Sequence, residues 1–256
     1  MSTKESPNNG HEKNGVGNSH LVMAVAIVLP SIVTWVYFSL LKDHAPAFQQ
    51  MAYSVGKTIQ FLLPLFAVFL LNRESLKRTV SQSAASAGNT KGMWIGGVVF
   101  GLLVVGAMFA IYFLLLCETA IGQRLVSAVG DKVGGMGLDS VPKFVALGIF
   151  YALIHSFLEE YYWRWFVFRY LKRSTSPLIA NIISSLGFMA HHVLLLGFFL
   201  EWHPLTYVFS FSIAVGGFVW ARIYQRTNSL MVPWISHMIV DAGIFALGYF
   251  LIGDVL

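Results

Sequence analysis

The sequence predicts an all-α protein, a polytopic membrane helix bundle of about seven transmembrane helices and eight at most. Three observations carry this. Of 256 residues, 56% are hydrophobic and only 11% charged, against about 25% charged in a soluble domain. The mean hydropathy is +0.67. The apolar residues also fall into runs long enough to cross a ~30 Å hydrocarbon core, with Lys and Arg gathered between them. The formal net charge of +5 therefore reads as topological. No basic, aromatic-interleaved soluble domain is present, which excludes nucleic acid as a partner. Cys117 is the only cysteine, so neither an intrachain disulfide nor a four-cysteine zinc site can form.

Residues 1–20 are rich in Asn, Gly, Ser and charge and are expected to be a disordered cytosolic tail. Leu21–Leu41 is too long for a signal-peptide core and reads as a retained first span, with Pro30 as a point of kinking. The second span, Met51–Leu71, is less apolar and includes Lys57, which either snorkels to the interface, the commoner outcome, or lines an internal cavity. A basic, Ser-rich connection, Asn72–Gly92, precedes the third span, Met93–Leu116. That span carries Gly97 and Gly101 at the spacing that lets two helices approach closely. Within Cys117–Pro142, the stretch GQRLVSAVGDKV is expected to lie as a short amphipathic helix on the membrane surface. The fourth span runs from Lys143 to about Tyr170, long enough to tilt or project beyond the bilayer. Pro177–Leu200, Leu205–Ala221 and Leu230–Ile252 are the fifth to seventh spans. The chain thus divides into the tail (1–20), N-terminal spans and connections (21–142) and a second half (143–256).

Loop charge sets the expected orientation. Arg73, Lys77, Arg78, Lys91, Lys172, Arg173, Arg222 and Arg226 lie on alternate connections, and the intervening ones are poorer in Lys and Arg or balance them with acids. By the positive-inside rule the N-terminus is cytoplasmic and the C-terminus outside.

Polar residues within the apolar runs are the candidate functional groups, because an ionisable side chain there needs a partner or a purpose. In the fourth span Glu160 and Arg164 are four apart and share a face. Glu159 is turned about 100° from Glu160 and points elsewhere. In the fifth span Phe188 and His192 are four apart, and in the seventh so are His237 and Asp241. At 1.5 Å per residue, Glu159 and His237 come out about half-way or less into the bilayer. His192 comes level with them if Asn181, Ser184 and Ser185 mark a shielded polar entrance. His155, His191 and His203 read as bystanders or interface residues.

Two chemistries fit the set. In one, Glu159 is the general base on a water, helped by His192, while His237 and Asp241 bind the oxyanion. In the other, Glu159, His192 and His237 or Asp241 bind a Zn²⁺ whose open position holds the water. A transporter relay is a third reading, but no inverted repeat is visible. Serine-nucleophile, HExxH and GxGD motifs are absent from the sequence.

The motifs EEYYWR (Glu159–Arg164), FMAHH (Phe188–His192) and HMIVD (His237–Asp241) fit EExxxR, FxxxH and HxxxN/D in order. They resemble the CPBP (Abi) family of intramembrane proteases, related to Rce1-type CAAX prenyl endopeptidases, over roughly Phe144–Phe250. The resemblance implies a membrane-embedded endopeptidase acting on membrane-associated peptides or proteins. In it Glu159 and His192 activate water, His237 and Asp241 stabilise the oxyanion, and Glu160, Arg164 and Phe188 support them. The family includes descriptions with and without zinc. VLLLG after His192, where eukaryotic members carry further histidines, points to the prokaryotic branch. A non-catalytic role of the same fold, in bacteriocin immunity or as a scaffold, is the competing reading.

Overall fold

A computed structural model describes residues 10–71 and 91–253. Eight helices account for the described chain. Helix α1 spans Gly10–Trp35 and continues as one wide π-helical turn, Val36–Leu40; α2 spans Pro46–Leu71. Helix α3 covers Lys91–Leu116, α4 Ala120–Gly135 and α5 Val141–Ser174. Helices α6 (Pro177–Phe199), α7 (Pro204–Thr227) and α8 (Met231–Ile252) complete the bundle.

The helix boundaries follow local chemistry. Thr119 caps α4 by accepting from the Gly122 N–H, and Ser176 caps α6 by accepting from the Ile179 N–H. Pro142, Pro177 and Pro204 sit in first turns, where a missing N–H leaves no bond unmade. Asn228 closes α7 in the left-handed conformation (φ 51°).

Two expectations shift. The first helix begins at Gly10, so residues 10–20, expected as disordered tail, extend it. A helix nucleated in an apolar span propagates outward at little further expense. Residues 1–9 and the basic connection around Arg73, Lys77 and Arg78 lie outside the described residues. Six helices among the described residues are long and apolar enough to cross a membrane, namely α3, α5, α6, α7, α8 and the Leu21–Leu40 part of α1. The expected second span, α2, forms a 26-residue helix but is not one of the six. Its polarity points inward. Gln60 is buried while Met51, Val55, Ile59, Leu65 and Phe66 are exposed, the inside-out pattern of a helix facing lipid with one side and protein with the other.

Packing places the second half at the centre. Helix α7 lies along α6, α8 along α3, and α1 bridges α6 and α2. The α3–α8 contact uses the predicted glycine pair. A Cβ on Gly97 would come within 2.9 Å of Val232, and one on Gly101 within 2.8 Å of the Ser236 carbonyl. Helix α4 is the expected amphipathic segment, pinned through Lys132, whose ammonium lies 3.9 Å from the Tyr37 ring centre and 5.1 Å from that of Phe38. Burial pushes the Lys132 ammonium pKa below its ordinary value. The core clusters around Tyr162, Trp163, Phe166 and Phe188, all essentially unexposed.

Candidate active site

Helix α5 supplies both carboxylates from a short α-helical interval, Ser156–Glu160, set between two π-helical stretches, Tyr151–His155 and Tyr161–Phe168. Such wide turns recur at functional positions because they re-aim side chains without ending the helix. Here Glu159 and Glu160 face different neighbours, as their 100° offset requires.

Glu160 is fully buried. Its Oε1 lies 3.0 Å from Arg164 Nη1 and 2.9 Å from His237 Nδ1. The predicted Glu160–Arg164 pair is therefore present and extends to a third residue. A carboxylate oxygen accepts, so His237 donates from Nδ1 and directs Nε2 toward Glu159 and Asp241. Arg164 in turn donates to the Gly217 carbonyl at 3.3 Å. Its guanidinium lies between the rings of Phe188 (4.7 Å) and Trp220 (5.3 Å). A Cβ on Gly217 would press on the Phe188 ring at 3.2 Å and meet Arg164 at an ordinary 3.5 Å, so the glycine keeps this contact unstrained. Trp220 stacks on His237 at 4.2 Å and 16°, with its indole N–H donating to Ser236 Oγ. Phe188 sits edge-on to both His192 and His237.

Glu159 is 2% exposed, and cationic or basic nitrogens surround it. Its Oε1 lies 3.5 Å from His191 Nε2, 3.7 Å from His155 Nε2 and 4.0 Å from Lys57 Nζ. Its Oε2 lies 3.9 Å from His237 Nε2. Among the described residues, Oε1 receives no hydrogen bond of standard geometry, so an acceptor oxygen is left open in the middle of the cluster. His237 Nε2 also approaches Asp241 Oδ1, at 3.5 Å. His192 donates from Nδ1 to the Phe188 carbonyl at 2.8 Å, which in the neutral ring leaves Nε2 with its lone pair.

The seven residues singled out by sequence thus converge: Glu159, Glu160, Arg164, Phe188, His192, His237 and Asp241. Three others join them. His155 and His191, expected as bystanders, both face Glu159, and Trp163 lies parallel to the His191 ring at 5.9 Å. Lys57 takes the less common of its two expected positions and points into the protein. His155 stood at the i−4 spacing to Glu159, a signal present in the sequence. Asn181, Ser184 and Ser185 are shielded from the surface, with Asn181 donating to the Phe218 carbonyl, Ser184 to that of Trp163 and Ser185 to Asn181 Oδ1. His203 is exposed and caps α7.

The donor set also suits a metal. Glu159, His191 and His192 each offer one ligand atom, all within 4.8 Å of one another. Two imidazoles and a carboxylate are a zinc-type set. The trio expected from sequence contained His237 or Asp241 in place of His191. In the structure His237 is tied to Glu160, and His191 takes its place beside Glu159.

A family model described as "Type II CAAX prenyl endopeptidase Rce1-like" matches residues 141–243. That stretch is similar to the CAAX-protease family. The Rce1-like segment begins with α5 and ends in α8 just after Asp241, so it contains every residue that faces Glu159 except Lys57. The family points to a protease acting at the membrane, in keeping with six apolar helices long enough to span one. No curated protein and no solved structure matches the chain.

Proposed function

We propose that this protein is an intramembrane endopeptidase that hydrolyses peptide bonds of membrane-associated peptides or proteins with a water activated by Glu159. The observation that carries the reading is the open Oε1 of Glu159, buried and ringed by imidazoles. A base needs a free acceptor oxygen in reach of the water it deprotonates. Glu159 takes a proton from the water as its oxygen attacks the scissile carbonyl carbon, and His192, with Nε2 free, holds that water. His237, protonated on both ring nitrogens, and Asp241 in its carboxylic-acid form donate hydrogen bonds to the oxyanion as it forms. The C–N bond then breaks and Glu159 returns the proton to the leaving amine. Glu160 and Arg164 fix the His237 ring throughout, and Phe188 packs against both imidazoles.

Glu159, His191 and His192 are the residues that would hold a zinc ion, which when bound lowers the pKa of its water and polarises the carbonyl. Metal analysis of purified protein separates the two versions. Stoichiometric zinc lost together with activity in chelator assigns the metal version, and full activity in chelator assigns the glutamate version.

In this reading α2 crosses the bilayer as a seventh span. The N-terminus is then cytoplasmic and the C-terminus outside, in a prokaryotic cell membrane. The test is Glu159→Gln, which preserves shape and removes the base. Membrane peptides that accumulate in cells carrying the variant, at unchanged protein level, identify the substrate. No accumulation, with function intact, overturns the peptidase reading in favour of a scaffold.

A further inference from the structure

Lys57 faces Glu159 from outside the segment 141–243 that resembles a known family. Its burial is not the ordinary outcome for a lysine on an apolar helix, whose stem usually extends toward the interface. Here the side chain is only 12% exposed and the ammonium lies 4.0 Å from Glu159 Oε1. Among the described residues Glu159 is its sole ion-pair partner. The surroundings hold the cation in place. Tyr53 and Phe61 stand one turn to either side on α2, with ring centres 5.7 Å and 5.5 Å from the ammonium. Phe61 in turn meets the His155 ring edge-on at 6.1 Å. Next to Lys57, Gly56 lets α2 close on α1, since a Cβ there would lie 3.0 Å from Val33.

A cation at this position changes what else the cluster can hold. Glu159, His191 and His192 offer ligand atoms within 4.8 Å of one another. A divalent ion held by them would share the Glu159 carboxylate with the Lys57 ammonium. Like charges repel most strongly where water is excluded, and both partners of the Lys57–Glu159 pair are shielded from the surface. Nor does the pair of carboxylates need a metal for charge balance. Glu160 is matched by Arg164 at 3.0 Å, and Glu159 by Lys57.

We propose that Lys57 is a tethered counter-ion that keeps divalent cations off the Glu159 carboxylate, so that the cluster works as a lysine-balanced site without a metal. In the proposed peptidase Lys57 is then a positioning residue. It acts through Glu159, holding the carboxylate among the imidazoles while leaving Oε1 open to accept from water. That catalytic part rests on the peptidase reading, whereas the metal affinity of the cluster does not. Helix α2 thereby contributes to the site the one charge that the helices carrying the three motifs do not provide for Glu159.

The experiment uses the purified full chain in neutral detergent, stripped of metal with chelator and desalted. It is titrated with Zn²⁺ by calorimetry and with Co²⁺, whose visible absorption reports coordination. Wild type is expected to bind both ions weakly. Lys57→Met, which removes the cation and keeps the stem, is expected to bind Zn²⁺ at least about thirtyfold more tightly. Lys57→Gln makes the same comparison with a neutral polar head, should the apolar variant prove unstable. Lys57→Arg keeps the charge and is expected to stay within about threefold of wild type. Glu159→Gln/Lys57→Met removes the ligand oxygen and is expected to lose the gain. Zinc affinity in Lys57→Met and Lys57→Gln no higher than in wild type overturns the proposal. So does a gain that survives Glu159→Gln, or one that Lys57→Arg shares in full. Metal affinity is read without a substrate, so a failure of the peptidase reading in Glu159→Gln cells is distinguishable from a failure here. Thermal unfolding of each variant verifies that it is folded before titration.

Discussion

Replacing Arg164 with Met tests the architecture that holds the site together. Arg164 is 1% exposed; it pairs with Glu160 at 3.0 Å and bonds the Gly217 carbonyl. Met keeps an unbranched apolar stem against Phe188 and Trp220, so most of the packing survives and the charge does not. Removing one partner of a buried pair destabilises by about 3–5 kcal/mol, because the other charge stays buried. For a chain of this size one kcal/mol moves the thermal midpoint by about 2–4 °C, so a fall of about 10 °C is expected. Glu160→Gln leaves the guanidinium without its carboxylate and should fall comparably. The double variant buries neither charge and should cost less than the two single losses added together, with a coupling of about 1–3 kcal/mol. The assay is thermal unfolding of the three variants in one detergent, followed by intrinsic fluorescence. Strict additivity, or a loss below 3 °C for Arg164→Met, would refute the claim that Glu160 and Arg164 act as one unit.

Further outcomes follow from other contacts. Lys57→Met, which strips the only cation on α2 from beside Glu159, should lower the initial cleavage rate about tenfold, while Lys57→Arg keeps it within threefold; kinetics on a peptide found to accumulate in Glu159→Gln cells checks this. Gly101→Val drives side-chain atoms into the Ser236 carbonyl 2.8 Å from where its Cβ would lie and should destabilise by about 1–3 kcal/mol. Gly106→Val, where a Cβ meets nothing within 4 Å, should leave the thermal midpoint unchanged. Lys132→Ala removes the ammonium from the Tyr37 and Phe38 rings, a contact of about 0.5–2 kcal/mol. Faster hydrogen exchange across residues 120–135, with none at α8, is the expected result.

Apolar length made the helices legible, and i,i+4 spacing made legible the pairs Glu160–Arg164 and His237–Asp241, because both signals are local. What escaped was the convergence of separate helices on one oxygen. His191 and His192 are neighbours some 100° apart on α6, and a single helix was expected to offer only one of them to the site. Their rings lie 4.1 Å apart, which allows both to border Glu159. Lys57 escaped for a different reason. The residue that lowers the apolarity of α2 is the one that reaches the carboxylate, so its contribution to the site made the helix look like a poor span. The same logic hid the roles of Asn181 and Ser184. Buried polar groups read as an entrance until their acceptors on α7 and α5 are seen.

The two wide-turn stretches that bracket Glu159 and Glu160 have a consequence for the register of α5. A π-helical interval holds more backbone in each turn than a regular one, and losing one residue lets it relax to ordinary α-geometry. Deleting a single residue within Tyr161–Phe168 is therefore largely taken up by that relaxation, whereas the same deletion in a regular α-helix would rotate everything beyond it by about 100°. The carboxylates and the basic end of α5 are thus phased to each other by one residue of slack, as two cams are set on a single shaft.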